Sequence, residues 1–271
     1  MSAAGRAQAR GTDAEPPPAV PVVSGWVPME ITREIDAVDD GGPNFQENLA
    51  DGDSQSGSPS SGASGTVVAS DNFTSPSSGV LPSVSTRPSQ WKIGYLNGGY
   101  QIASVGSGAD LDDTALINGT YGDVSIAVDA RVIQGTSTTP DQTVRLYCRR
   151  QASGAGFSGY RLQFSPVSNG WGLYRGDGNT GVSLTGVQFL PGTPSPTASH
   201  HLLLTCAGSK ISVSIDGTPV GSFQDRSYGT GQAALGVGNF TLNDSWAIYP
   251  LGSAYPGTYD VRFSKLVLTQ P

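Results

Sequence analysis

From residue 66 onward, apolar and polar side chains take turns in short runs divided by turn residues. Val124, Ile126, Val128, Ala130 and Val132 share one face of a stretch whose other face carries Ser125, Asp129 and Arg131. Val144, Leu146 and Cys148 alternate with Arg145, Tyr147 and Arg149, and Tyr160, Leu162 and Phe164 alternate with Arg161 and Gln163. Leu202, Leu204 and Cys206 form a further such face, as do Ile211, Val213 and Ile215. A period of two places successive side chains on opposite sides of an extended backbone, so each run predicts a half-buried strand. Asp216-Gly217, between Ile215 and Val220, predicts a tight hairpin, because both residues tolerate the positive φ such a turn demands. The last run, 261–268, loses its alternation near Lys265, which predicts a β-bulge. No helical periodicity persists for three turns between 66 and 271. The expectation is one all-β domain, a sandwich or barrel of about 200 residues.

The first 65 residues follow another pattern. A proline cluster (Pro16, Pro17, Pro18, Pro21) leads into an acidic stretch that ends as GDSQSGSPSSGASG at 52–65. The Gly/Ser tract has the composition of a flexible linker, and the acidic stretch has too little apolar surface to offset the entropy of ordering. Three parts are therefore expected: an extended, largely irregular N-terminal arm over 1–53, a linker over 54–65, and a domain over 66–271. Charge sharpens the boundary. The chain has 15 Lys and Arg against 22 Asp and Glu, a net charge of -7. Residues 1–65 hold ten acids and three bases, which is the whole imbalance, and they hold all four Glu; the 12 acids of the remainder are Asp and face 12 bases. Within the arm, Val27, Met29 and Ile31 alternate after Trp26. Two readings stand open there: a weakly collapsed piece of tail, or a docking strand that adds to the exposed sheet edge of a protein partner. An acidic chain without a basic run lacks the cations that nucleic-acid affinity rests on, so no nucleic acid is expected. No window approaches the roughly 18 consecutive apolar residues of a membrane span, and the first thirty residues carry no signal-peptide h-region, so neither is expected.

The succession VRLYCR (144–149), YRLQF (160–164), WGLYR (171–175), LLLTCAG (202–208), ISVSIDGTPV (211–220), GQAALGV (231–237) and VRFSKL (261–266) resembles the concanavalin A-like, laminin-G-like jelly-roll β-sandwich domains of bacteria and their phages. Asp71–Phe73, Trp91 and GGYQI (98–102) resemble that family's opening strands, so the likeness spans about 68–270. The family often has Cys where Cys148 and Cys206 stand. The resemblance therefore implies a disulfide or close thiol pair, with two buried thiols acting as small hydrophobes as the alternative. Such jelly rolls sometimes carry a structural calcium near their first and last strands, where Asp71 and Asp260 lie; otherwise no cofactor is expected. The GADLDD segment, with Asp110, Asp112 and Asp113, reads either as further calcium ligands or as a plain turn.

Catalytic chemistry is not expected. Glu34-Ile-Asp36-Ala-Val-Asp39 resembles the E-I-D-x-x-E catalytic strand of the family 16 jelly-roll glucanases, but its third carboxylate is Asp and it lies in the arm. A retaining glycosidase needs two carboxyl groups about 5–5.5 Å apart on rigid elements. His200 and His201 are adjacent, so an extended backbone points them apart, and they are expected at a solvated junction before a strand. The candidate recognition residues are Trp246, Tyr249 and Tyr255, set among prolines and glycines before the last strand, either stacking on a sugar or capping one end of the core. The function expected is that of a non-enzymatic structural and interaction protein. It would be displayed on a virion or other extracellular particle, such as a bacteriophage head, tail or fibre, held there by the arm and binding glycans outward. The alternative is a carbohydrate-binding module of a bacterial cell-surface or secreted protein.

Overall fold

The computed structural model describes residues 65–75, 78–96, 98–106, 112–135, 142–153, 156–178, 180–239 and 258–271. The chain divides into two units, Met1–Gln55 and Ser56–Pro271, and all the described residues belong to the second. They form two antiparallel sheets. The first runs β13 (Thr218–Gln224), β12 (Lys210–Ile215), β11 (Ser199–Ala207), β5 (Val124–Gly135), β15 (Tyr259–Gln270), β3 (Gly99–Ser104), β2 (Trp91–Leu96), with β1 (Thr66–Asp71) also on β15. The second runs β10 (Gln188–Phe189), β8 (Gly170–Gly178), β7 (Gly156–Ser165), β6 (Gln142–Ser153), β14 (Gln232–Asn239), β4 (Asp112–Leu116), with β9 (Thr180–Ser183) also on β8. No helix among the described residues is long and apolar enough to cross a membrane.

The alternating runs supply the core. Ile126 and Val128 of β5, Leu202 and Leu204 of β11, and Val261 and Phe263 of β15 meet Leu146 of β6, Leu162 of β7, Leu173 of β8 and Leu235 of β14. The local signals are obeyed as well. Asp216 and Gly217 take φ of 51° and 78°, and Ile215 pairs with Thr218 across the two-residue turn. Lys265 takes φ 54°, where the pairing of β15 with β5 shifts between Ser264 and Val267. The histidines are a correction. Both lie inside β11, and His200 is buried edge-on against the Phe164 ring with centroids 5.0 Å apart. Its Nδ1 lies 2.8 Å from the Asp216 carboxylate.

Cys148 and Cys206 are joined by a disulfide with Cα atoms 6.5 Å apart. They are not on neighbouring strands. Cys148 belongs to β6 and Cys206 to β11, so the bridge crosses the core and ties one sheet to the other. With a separation of 58 residues it stabilises by about 4 kcal/mol in the chain-entropy account.

The next residue departs from strand phase. β6 carries a bulge, its register shifting between Cys148 and Gln151 against β7, and Arg149 there takes φ 51°. Its side chain, 2% exposed, turns to the end of the sandwich. There the guanidinium donates to the carbonyls of Gly122 (2.9 Å), Gly208 (2.8 Å) and Tyr228 (3.0 Å) and to the Asp123 carboxylate (2.8 Å). Three connecting segments converge on one cation. The crowding requires glycine at 159, where φ is +125° and a Cβ would fall 2.5 Å from the Arg149 carbonyl oxygen.

Truncating Arg149 strands three carbonyls, whereas Asp123 is 52% exposed and water replaces its lost charge. Arg149→Ala is expected to cost about 3–5 kcal/mol, and Asp123→Asn, which keeps the acceptor, about 1 kcal/mol or less. Urea unfolding of the two variants measures the difference.

Candidate functional site

The structure separates Asp71 from Asp260. Asp71 pairs with Leu266, whereas Asp260 pairs with Ala103, six residues earlier on β15 and roughly 20 Å away along the strand. The Asp71 carboxylate accepts from the Phe73 amide (2.7 Å), the Ser78 hydroxyl (2.5 Å) and the Tyr95 hydroxyl (2.7 Å), and that of Asp260 from the Gln101 side-chain amide (2.8 Å). The two do not share an ion. Asp113 is buried and receives the Ser85 hydroxyl at 2.8 Å and Arg87 at 3.3 Å. Among the described residues no three of His, Cys, Asp or Glu are grouped to hold a metal. Asp110, the arm residues Trp26, Val27, Met29 and Ile31, and the loop residues Trp246, Tyr249 and Tyr255 lie outside the described residues.

The outward face of the second sheet carries the most unusual side-chain set. Core residues Val144, Leu146, Tyr160, Leu162 and Leu173 fill the inward phase, which turns Arg145, Tyr147, Arg161, Gln163 and Tyr174 outward. Simple alternation assigns such positions to solvent, yet these five are only 2–6% exposed. A Cβ at Gly172 would sit 2.9 Å from the Tyr174 ring and one at Gly236 3.0 Å from the Tyr147 ring, so glycines leave the floor on which the rings rest. The Arg161 guanidinium carbon is 5.2 Å from the Phe157 centroid and 5.1 Å from that of Tyr174, a cation held between two rings. Phe157 meets Tyr147 edge-on at 5.2 Å, forming with Ala234 and Leu116 a second apolar cluster apart from the core. At the margin of this face Phe189 pairs with Gly170 and is 59% exposed. The signal for this face was present in the sequence: Arg, Tyr and Gln instead of Ser and Thr at successive outward positions, with glycine on adjoining strands.

One end of the sandwich holds a charged cluster. Asp225, after β13, accepts from the Tyr160 hydroxyl (2.6 Å), the Ser227 amide (2.8 Å) and Arg175 (2.8 Å). Arg175 also reaches Asp177 at 3.1 Å, and Asp177 takes the Tyr228 hydroxyl at 2.6 Å. Burial works to raise the Asp225 carboxyl, but the bonds donated by Tyr160, Ser227 and Arg175 outweigh it and hold it at about 2. Burial and the Asp225 charge push the Tyr160 hydroxyl up to about 12. Asp225 thus stays ionised and Tyr160 neutral at physiological pH. The cluster braces the Arg149 end, since Tyr228 serves both.

No family model matches this chain, and no curated protein matches it. Solved structures do. A Bacillus subtilis protein of unknown function with a galectin-like fold is 13% identical, with a TM-score of 0.54 over 76% of this chain and 96% of that one. A Bacillus licheniformis beta-glucanase is 11% identical, with a TM-score of 0.51 over 77% of this chain and 100% of that one. The domain is a galectin-like, concanavalin A-like jelly roll. At such identities the likeness carries the fold alone. The carbohydrate-binding module CBM66 of Bacillus subtilis is also similar, 14% identical over 70% of this chain and 100% of that one, with a TM-score of 0.47.

A carboxyl depressed in the folded jelly roll contributes stability above its ordinary range and loses it as pH falls. Between about pH 4 and pH 2 the unfolding free energy is expected to drop, and Asp225→Asn to make that drop shallower while leaving the profile from pH 5 to 8 unchanged. Denaturant titrations across this range provide the check.

Proposed function

We propose that this protein is a non-enzymatic recognition protein whose jelly roll binds a saccharide on the outward face of its second sheet, at the Phe189 margin. The observation that carries the reading is the composition of that face: rings packed close to glycine positions with a guanidinium between two of them, closed at the centre and open at Phe189. Flat rings suit the C–H faces of a sugar, and planar donors suit its hydroxyls. Trp246, Tyr249 and Tyr255 are proposed as a second set of rings for the same ligand. Hydrolysis of a glycosidic bond would need a carboxyl pair. Residues 66–271 contain no Glu, and the outward positions of β6 and β7 hold Arg145, Tyr147, Arg161 and Gln163.

A second reading rests on charge. The arm 1–53 and its linker hold the whole -7 while the domain is neutral. This suits an anchoring segment that holds the jelly roll on a larger particle, a phage head, tail or fibre or a bacterial surface, with Trp26, Val27, Met29 and Ile31 as the docking strand and the saccharide face turned outward. Removal of 1–53 is then expected to abolish particle association and leave the thermal unfolding of the domain unchanged; association that persists overturns this second reading.

A glycan array tests the first. Wild-type protein is expected to give glycan-dependent signal that falls at least about tenfold, or about 1.4 kcal/mol, in Phe189→Ala, with a loss in Trp246→Ala if the loop rings contribute. Absence of any glycan-dependent signal from the wild type sinks the proposal.

A further inference from the structure

The other sheet sets two like charges opposite each other, one exposed and one half-buried. The register of β5 and β15 sets Arg262 directly opposite Arg131. Ala130 and Val132, like Val261 and Phe263, fill the inward phase, so both arginines leave the sheet on its outward face. Side chains opposed in this way have Cβ atoms about 4.5–5.5 Å apart, and like charges there repel. The rest of the row does not relieve them: Ser199 adjoins Arg131 on β11, and Gln101 adjoins Arg262 on β3.

One neighbouring carboxylate is committed elsewhere and one is shared with the pair. Asp129 is held by His201 Nδ1 at 2.7 Å and Lys265 at 2.9 Å. Asp260 takes the Gln101 amide at 2.8 Å and pairs with Arg262 through Nε at 3.4 Å, which leaves the outer nitrogens of that guanidinium for a ligand. Arg131 is exposed and forms no ion pair among the described residues. Two arginines thus leave the sheet side by side, Arg131 exposed and Arg262 half-buried, with a single carboxylate, Asp260, between them and neutrality.

We propose that Arg131 and Arg262 clamp a tetrahedral oxyanion of the sulfate or phosphate type. Each fork donates two parallel N–H bonds to oxygens of one centre, and the ion's charge turns a repulsive pair into an attractive triad. The anion is either free in solution or a sulfate ester on a saccharide. This site is on the opposite sheet from the saccharide face, recognises charge instead of ring surface, and stands or falls independently of it.

The test is a titration of the full chain with sodium sulfate against sodium chloride at matched ionic strength, following the arginine Nε–H signals by NMR. Saturable shifts are expected for Arg131 and Arg262 and not for Arg175, which Asp225 occupies. Arg131→Gln, a change at an exposed position, is expected to weaken sulfate binding at least about tenfold, and Arg262→Gln to do the same. A sulfated disaccharide run beside its desulfated form separates the sources: tighter binding than inorganic sulfate assigns a sulfated saccharide, and equal binding assigns the free ion. Shifts that match chloride, or a saturable sulfate response that survives in both variants, overturn the proposal.

Discussion

The Arg149 guanidinium is the contact on which most of this fold's end depends. It receives three backbone carbonyls from segments before β5, between β11 and β12, and before β14, so three connections are pinned by one side chain. Its neighbour in sequence, Cys148, bonds to Cys206 across the core. Two adjacent residues thus hold the sandwich together in complementary ways: the covalent bridge sets sheet against sheet, and the cation draws in the loops that close the gap. The bulge makes this possible. Without the extra residue in β6, Arg149 would continue the outward phase of Arg145 and Tyr147 and its charge would point away from those carbonyls.

The end so closed positions what lies beside it. Tyr228 lends its carbonyl to Arg149 and its hydroxyl to Asp177, and its ring meets Tyr160 edge-on at 5.8 Å. Arg175, Asp177 and Asp225 therefore form a bracket, each carboxylate held by donors. The same holds for Asp71, Asp113 and Asp129, whose donors are Tyr and Ser hydroxyls, backbone amides, Arg, Lys and His. A domain whose acids are tied up in this way is suited to holding shape.

The two outer faces differ in kind. On the second sheet, rings pack close to glycine positions, and Tyr147, Phe157 and Ala234 form an apolar cluster of their own. On the first, charges stand out from the sheet, with Arg131 and Arg262 opposed. A single β-sandwich can present two chemically different surfaces because its inward residues alone satisfy the core, leaving both outward phases free to vary.

Much of this was legible in the chain itself. Strand phase, the Asp216-Gly217 turn and the bulge at Lys265 are local, set by which neighbours two positions apart are apolar and by the φ two or three residues can adopt. The inward phase of Cys148 and Cys206 followed from the same alternation. Alternation does not say which strands meet. It did not show that the cysteines face each other across the core, and the family likeness brought Asp71 and Asp260 together where the register of β15 keeps them apart. Alternation also set Arg149 in the outward phase with Arg145 and Tyr147, and His200 was expected at a wet junction. Composition, charge division and strand identity thus belong to the sequence alone, since each depends on near neighbours along the backbone. Pairing order, the turn of Arg149 into the loops and the opposition of Arg131 to Arg262 were decided only when distant segments packed, because burial is a property of the whole sandwich and not of any one strand.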